Sequence, residues 1–427
     1  MNDLTLSRLG EFRQLKKTVR GSEEHLLVGI DVAKKKHHAF FGTAGGKSLL
    51  RRLIFENSRE GFETLLQRAR AIMTQEGFAK VVFGVEPTAD YHKPLSEFLI
   101  NSGHELVLVS NGTAKENRKT LDGRWDKNDT KDSANVADLV SQGKFLYYDL
   151  PSLPIRNLRN LLSFKRKLKA QEHSIRMRIR NHLVAQFFPE LDKYYGHREA
   201  ENLAIVKWCL NPRQIAAMDF TKFFRMVTSR DMGSGQQQRL RSIQEAARSS
   251  VGCEVSESVV FEARLLTSNL MRVRESITET DAKITEVCRQ ISGYGHILSI
   301  PGIGPAVSAQ VLAAIGDPHR FSSVKQVLKL AGLDLSASRS GKKSTNVTPQ
   351  LSKKGNAPLR YALYQAALVA TSRNRDFIEY FTRLVKGRER EQGIKTKMRV
   401  KVSAKMLVIA WTLLKKGEKF QPRYLLK

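Results

Sequence analysis

Four acidic residues stand where they could share one chemical task. Asp31 closes the apolar run His25–Val32 (HLLVGIDV), and Glu86 closes a second, Lys80–Glu86 (KVVFGVE). Asp129 and Asp132 lie three apart, so on a helix they share a face. Carboxylates brought together repel one another unless a cation neutralises them, and an all-oxygen donor set suits Mg²⁺ or Mn²⁺ better than zinc. Two such ions can orient a nucleophile and stabilise the leaving oxygen of a phosphodiester. A single Asp at a strand end is usually structural, and an Asp-x-x-Asp pair is often only a helix N-terminal charge pair. The ordered set of four points instead to a metal site for phosphoryl transfer. His37 and His38 follow Asp31 closely but have no matching Cys/His set, so they are expected to be strand or surface residues.

A second constellation lies near the C-terminus. Pro301-Gly302-Ile303-Gly304-Pro305 separates two helical patterns, as in a helix-hairpin-helix. Gly302 and Gly304 would allow a tight turn whose backbone N–H groups approach phosphate, and Pro305 suits a first helical position. Farther on come Ser336-Ala337-Ser338-Arg339-Ser340-Gly341-Lys342-Lys343 and Leu351-Ser352-Lys353-Lys354-Gly355-Asn356. Lys342, Lys343, Lys353 and Lys354, with glycine-exposed amides, would grip phosphate. A serine among such cations can become a nucleophile, although composition alone reads this loop as solvated surface.

The elements that must position these groups follow from length and pattern. The chain has 427 residues, enough for two or three domains of roughly 100–200 residues. It carries 72 Lys+Arg against 42 Asp+Glu, a formal charge of +30, with 41% hydrophobic residues. The charge therefore decorates folded domains and favours a nucleic-acid partner. No basic amphipathic anchor or long apolar run suggests a membrane, and the N-terminus lacks the apolar core of a signal peptide; a cytoplasmic protein is expected. Cys209, Cys253 and Cys288 make neither a zinc pattern nor a disulfide framework and are expected to be reduced and buried.

Residues 1–24 read as a polar lead-in. Residues 25–150 read as an α/β domain of the RNase H type: a first strand, a hairpin over His37–Thr43 and Ser48–Phe55, a helix capped at Asn57–Ser58, core strands at Lys80–Glu86 and Glu105–Ser110, and a helix from Asp129. Residues 151–292 form a helical region. Leu158, Leu161, Leu168, Ile175, Ile179 and Leu183, then Val259 through Ile291 with a polar gap at Thr280, suggest a coiled-coil-like pair. Between them, Gly196–Gly252 reads as irregular, with Gly233–Gly235 and Gln236–Gln238 as a surface loop. Residues 293–427 are mostly helical, with a polar, basic loop over Gly341–Gly355.

VGIDVAKKKHHAF, GVEPTADYHKPLSEFL and KNDTKDSANVADLVSQGKF resemble the N-terminal domain of the DEDD transposases of bacterial mobile elements, the insertion-sequence 110 family. PGIGPAVSAQVLAAIGDPHRF, AGLDLSASRSGKK and LSKKGNAPLRYALYQAAL resemble that family's C-terminal transposase domain. The resemblance implies a RuvC-like domain with Asp31, Glu86, Asp129 and Asp132 as its tetrad, and a catalytic serine that falls on Ser340, with Ser336 and Ser338 as alternatives in the same element. It further implies a homo-oligomer (dimer or tetramer) that excises and inserts a mobile element, acting on element ends and target DNA under a structured guide RNA. Two other readings of the residues stand beside it: a RuvC-type structure-specific nuclease in which water attacks, and a non-catalytic nucleic-acid-binding protein.

Overall fold

The structure is a computed structural model and describes residues 8–121, 129–194, 204–208, 210–228, 233–336 and 350–426. The chain divides into two compact units: residues 1–152 with 317–326, and residues 153–316 with 327–427.

The first unit is built on a six-stranded sheet of order β3-β2-β1-β4-β5-β6. Its strands are β1 (His25–Asp31), β2 (Lys36–Thr43), β3 (Ser48–Glu56), β4 (Lys80–Glu86), β5 (Glu105–Leu108) and the short β6 (Leu146–Tyr147). The hairpin strands pair antiparallel, β1–β4 and β4–β5 pair parallel, and β6 returns antiparallel to β5. Helices α1 (Arg8–Val19), α2 (Arg59–Glu76), α3 (His92–Asn101), α4 (Asn111–Leu121) and α5 (Asp129–Ser141) surround it. The Ser58 side chain caps α2 by accepting from the Gly61 N–H, and Gly77 ends that helix in the left-handed region. Phe62, Leu65, Leu66, Ala69 and Ile72 bury one stripe of α2.

Two apolar layers sandwich the sheet, and strand alternation assigns each residue to one of them. Leu26, Val28 and Ile30 of β1, with Val81, Phe83 and Val85 of β4, pack with α2 and α3. Leu27 and Val82 belong to the opposite layer, with Val136, Leu139 and Val140 of α5 and Val19 of α1. Successive side chains of a strand point to opposite faces, so Gly29, Asp31, Gly84 and Glu86 share the α5 face with Leu27 and Val82. The N-terminal segment joins this layer: Phe12 meets Phe145 edge-on at 5.8 Å.

Burial holds the imidazoles of His25, His37, His92 and His104 below the usual histidine range. His37 is fully buried in β2 against Phe55 and Phe62, its Nδ1 accepting from the Ala33 N–H at 3.2 Å. Because the folded values are depressed, the unfolded chain takes up these protons first. The stability held by neutral imidazoles is complete above the ordinary value of about 6.5 and is lost as pH falls through the folded values. Melting temperature should therefore decline as the solution is acidified below about pH 6.5, before most carboxylates titrate; a flat profile there would contradict this account.

The second unit is helical. Its long members are α6 (Leu153–Arg178) and, after α7 (Pro212–Ala217), α8 (Phe220–Val227) and α9 (Ser234–Arg248), the 33-residue α10 (Glu257–Arg289). Contacts of Lys165 with Asp281, Glu172 with Arg274 and Arg178 with Glu262 descend α10 as they ascend α6, so the two helices run antiparallel. Leu162, rather than Leu161, joins Leu158 and Leu168 among the buried residues of α6. Thr280 is buried too, and its hydroxyl donates to the Ser276 carbonyl at 2.6 Å. A polar side chain satisfied within its own helix can stand in an apolar seam.

The stretch expected to be irregular holds α7, α8 and α9. The Gly-Ser-Gly-Gln-Gln-Gln sequence is not a loop: Gly233 caps α9, and Gln236 is buried. Leu240, Ile243, Gln244 and Ala247 follow at helical spacing, and their burial outweighs the turn propensity of the glycines. Cys288 is buried, its thiol pushed up to about 11, whereas Cys253 is exposed, correcting the expectation for that residue; Cys209 lies outside the described residues. Beyond α10 come α11 (Tyr294–Leu298), α12 (Pro305–Ile315), α13 (Val324–Ala331), β7 (Leu335–Ser336), β8 (Gln350–Leu351), α14 (Ala357–Arg373), α15 (Arg375–Val385) and α16 (Ile394–Lys416). Among the described residues, no helix is long and apolar enough to cross a membrane.

Candidate active site

Asp31 and Glu86 end adjacent parallel strands and are direct register partners. Two residues earlier, Gly29 and Gly84 are also partners. These glycines let α5 descend onto the sheet. A Cβ on Gly29 would lie 2.1 Å from the Ser133 carbonyl oxygen and 2.4 Å from the Ala137 nitrogen. A Cβ on Gly84 would lie 2.5 Å from Val140 Cγ2. The backbone of Ser133 thus rests on the glycine just below Asp31, and Asp132, its neighbour in the first turn of α5, is carried to the same sheet face.

Asp132 is almost fully buried, and its Oδ1 lies 2.7 Å from Nε of Arg118 on α4 without the alignment of a hydrogen bond. A buried carboxylate needs a counter-charge, and the guanidinium supplies one. Polar contacts fix α4 against α5. Asn117 donates to Asn135 Oδ1 at 2.9 Å and to Asp138 Oδ2 at 2.7 Å, while buried Asn135 donates to the Ala114 carbonyl at 2.9 Å. The helix begins at Asp129, whose side chain falls outside those described. Among the described residues, no three carboxylate, histidine or cysteine side chains are gathered closely enough to hold an ion. The fold brings Asp31 and Glu86 to one edge and Asp132 to the same face. The donors are hard oxygens, and the buried Asp132 oxygen lacks an aligned donor; both features fit a divalent cation in kind.

Arg118, Asn135 and the two strand glycines are absent from the sequence-derived site. One signal pointed to the glycines: a Gly-x-acid triplet closes both strands, Gly29-Ile30-Asp31 and Gly84-Val85-Glu86.

In the second unit, Gly302 has φ +85°, as a tight turn requires, but its Cβ position is closed by α14, 2.5 Å from the Ala366 carbonyl oxygen. Gly304 caps α12 and has open space at its Cβ position. Ser338, Ser340, Lys342 and Lys343 lie outside the described residues, as does the side chain of Ser336. The two ends of that segment are joined as β7 and β8. Below them, the Lys353–Asn356 stretch is clamped to the end of α13. The Asn356 N–H donates to the Leu330 carbonyl at 2.7 Å, and Arg360 Nη1 donates to Ala331 O at 2.8 Å and Lys353 O at 3.4 Å. A Cβ on Gly355 would lie 2.3 Å from the Gly332 nitrogen, so the two segments meet backbone to backbone. Lys353 has a left-handed φ of +53°, unusual for a residue with a side chain.

Comparison with known proteins accounts for both regions. Residues 28–189 match the DEDD transposase model of this group, and residues 294–382 match the model described as Transposase IS116/IS110/IS902 family. The chain belongs to the IS110 family of transposases. A 44.8 kDa protein of insertion element IS116 from Streptomyces clavuligerus is 24% identical over 411 residues, covering 93% of this chain and 97% of its own length. The pilin gene-inverting protein of Moraxella bovis is 27% identical over 161 residues, 36% of this chain and 48% of that protein. The transposase of element IS1111A from Coxiella burnetii is 30% identical over 102 residues, 24% of this chain and 28% of its own. The chain is a DNA transposase or recombinase.

Proposed function

We propose that this transposase cuts and rejoins DNA through a phosphoserine intermediate, with an RNase H-like acidic site acting together with Ser340. The observation that carries the reading is the paired register of Asp31 and Glu86, with Asp132 brought to their face by a helix resting on Gly29. The strand order, with an antiparallel hairpin beside parallel crossover strands, supports an RNase H-type or RuvC-like domain.

Asp31, Glu86, Asp129 and Asp132 would hold Mg²⁺. When bound, it lowers the cost of charge developing on the phosphoryl oxygens and at the attacking and leaving oxygens. The chain's own residues do the rest. Asp132, buried and opposed by Arg118, is held in place. Lys342, Lys343, Lys353 and Lys354 hold the strand by its phosphates, with the amides near Gly302 and Gly304 as a second backbone grip. Ser340 Oγ bonds to phosphorus as one strand oxygen leaves; the serine proton passes to a base, and the departing oxygen takes one up. The ester preserves the energy of the broken bond, so the reverse attack by a new strand end reseals DNA without ATP.

The acidic residues and the serine segment belong to different units of the chain. Pairing the acidic site of one subunit with the serine of another in a homo-oligomer would unite them. The +30 charge supports simultaneous binding of DNA and a structured guide RNA. The test is to incubate the protein with element-end DNA and Mg²⁺, then denature. The wild type should yield a covalent protein–DNA adduct and Ser340→Ala none, with Asp31→Ala equally inactive. Strand breakage without an adduct, undiminished in Ser340→Ala, would instead identify water as the nucleophile.

A further inference from the structure

A groove of about 420 Å³ opens among α6, α10, α12 and α14. Its floor is apolar, with Leu162, Ile284, Val307 and Ala362. Around it stand Lys165, Arg166 and Lys169 of α6, the carboxamides of Gln310 and Gln365, and Tyr361, which is 68% exposed. The exposed ring presents a flat π-face on which another planar group can stack. The charge is one-sided. Helix α6 carries eight Lys and Arg against the single acid Glu172, itself held by Lys169 at 2.9 Å and Arg274 at 3.1 Å. Burial pushes the Glu172 carboxyl up, but hydrogen bonds from Lys169 and Arg274 outweigh it and hold it below the usual range. Asp281, the acid that lines the groove itself, is paired with Lys165. Lys165 and Lys169 are thus engaged with acids, which leaves Arg166 as the groove cation that faces a ligand.

We propose that this groove holds one unpaired nucleotide of the DNA strand. Its base stacks on Tyr361, its edge is read by Gln310 and Gln365, and its phosphate lies against Arg166. An apolar slot with one exposed ring and two carboxamides takes a single base; a duplex keeps its base faces inside its own stack. The location favours the strand being cut. Pro358, Tyr361, Ala362 and Gln365 occupy one side of α14, while Arg360 on the same helix clamps the stretch that follows the serine segment. This choice of strand rests on the phosphoserine reading above; the binding itself does not.

The test uses full-length Ser340→Ala protein without added Mg²⁺, so that the strand stays whole, and a fluorescent single-stranded oligothymidylate. Adding Tyr361→Ala should weaken binding on the order of tenfold, whereas Tyr361→Phe, which keeps the ring, should bind like the parent. Arg166→Gln should flatten the salt dependence by about 0.7 in log–log slope, one phosphate contact. Photocrosslinking with an iododeoxyuridine oligomer should label the α14 peptide containing Tyr361. Unchanged binding by Tyr361→Ala, or crosslinks confined to other helices, would overturn the site. Tighter binding of oligouridylate than of oligothymidylate would overturn the assignment to DNA. Because no cleavage is needed, these results stand apart from whether Ser340 forms an adduct.

Discussion

Gly29→Ala is expected to abolish Mg²⁺-dependent strand breakage, although it adds one methyl group and removes no acidic side chain. The methyl carbon would lie 2.1 Å from the Ser133 carbonyl oxygen and 2.4 Å from the Ala137 nitrogen, and both are backbone atoms of α5. Backbone cannot rotate aside as a side-chain tip can, so α5 must lift from β1 and take Asp132 with it. Overpacking of this kind costs roughly 1–3 kcal/mol and sometimes more. Moving a reacting group by about 1 Å costs on the order of 100-fold in rate. Gly84→Ala should be milder, because the obstruction is Val140 Cγ2, a side-chain methyl. Gly45→Ala, whose nearest neighbour would be Thr43 Oγ1 at 3.8 Å, should be close to wild type. Melting temperature and cleavage rate across the three variants give the check; a Gly29→Ala protein that melts and cuts like the parent would dismiss the role assigned to this glycine.

Gly355→Ala is expected to remove adduct formation while leaving the acidic unit folded. Its methyl would meet the Gly332 nitrogen at 2.3 Å and the Leu330 carbonyl oxygen at 2.7 Å. The clamp built from Asn356, Arg360 and the end of α13 would have to open. β8 leads into that clamp and closes the segment carrying Ser340, so the serine would lose its fixed base. A misplacement of about 1 Å corresponds to roughly a 100-fold loss of adduct. The contrast with Gly29→Ala is diagnostic. The acid-dependent melting of the first unit should persist in Gly355→Ala, because His25, His37, His92 and His104 all lie outside the second unit. Wild-type adduct yield from Gly355→Ala would remove the clamp from the mechanism.

Local pattern carried much of this protein. HLLVGIDV and KVVFGVE announced β1 and β4 with their closing acids, because continuous apolar runs of that length suit strands buried on both faces. Asn57–Ser58 marked the start of α2, and the spacing of Val259 to Ile291 marked α10, because capping and amphipathic period are written within one turn of chain. Helix α4 and the helices of 204–248 were not legible. Their turn-forming residues outvoted weak stripes, and only burial against partners distant in sequence reversed that preference.

The four acids, the basic excess and the glycine turns are properties of the residues alone, so reading them required no partner. What tertiary structure decided was proximity: which face Asp31 and Glu86 share, which helix comes down on Gly29, and which cation answers Asp132. Strand register and helix packing arise from contacts between segments a hundred residues or more apart, as Gly29 with Ser133 shows, and no local window of sequence holds both halves of such a contact.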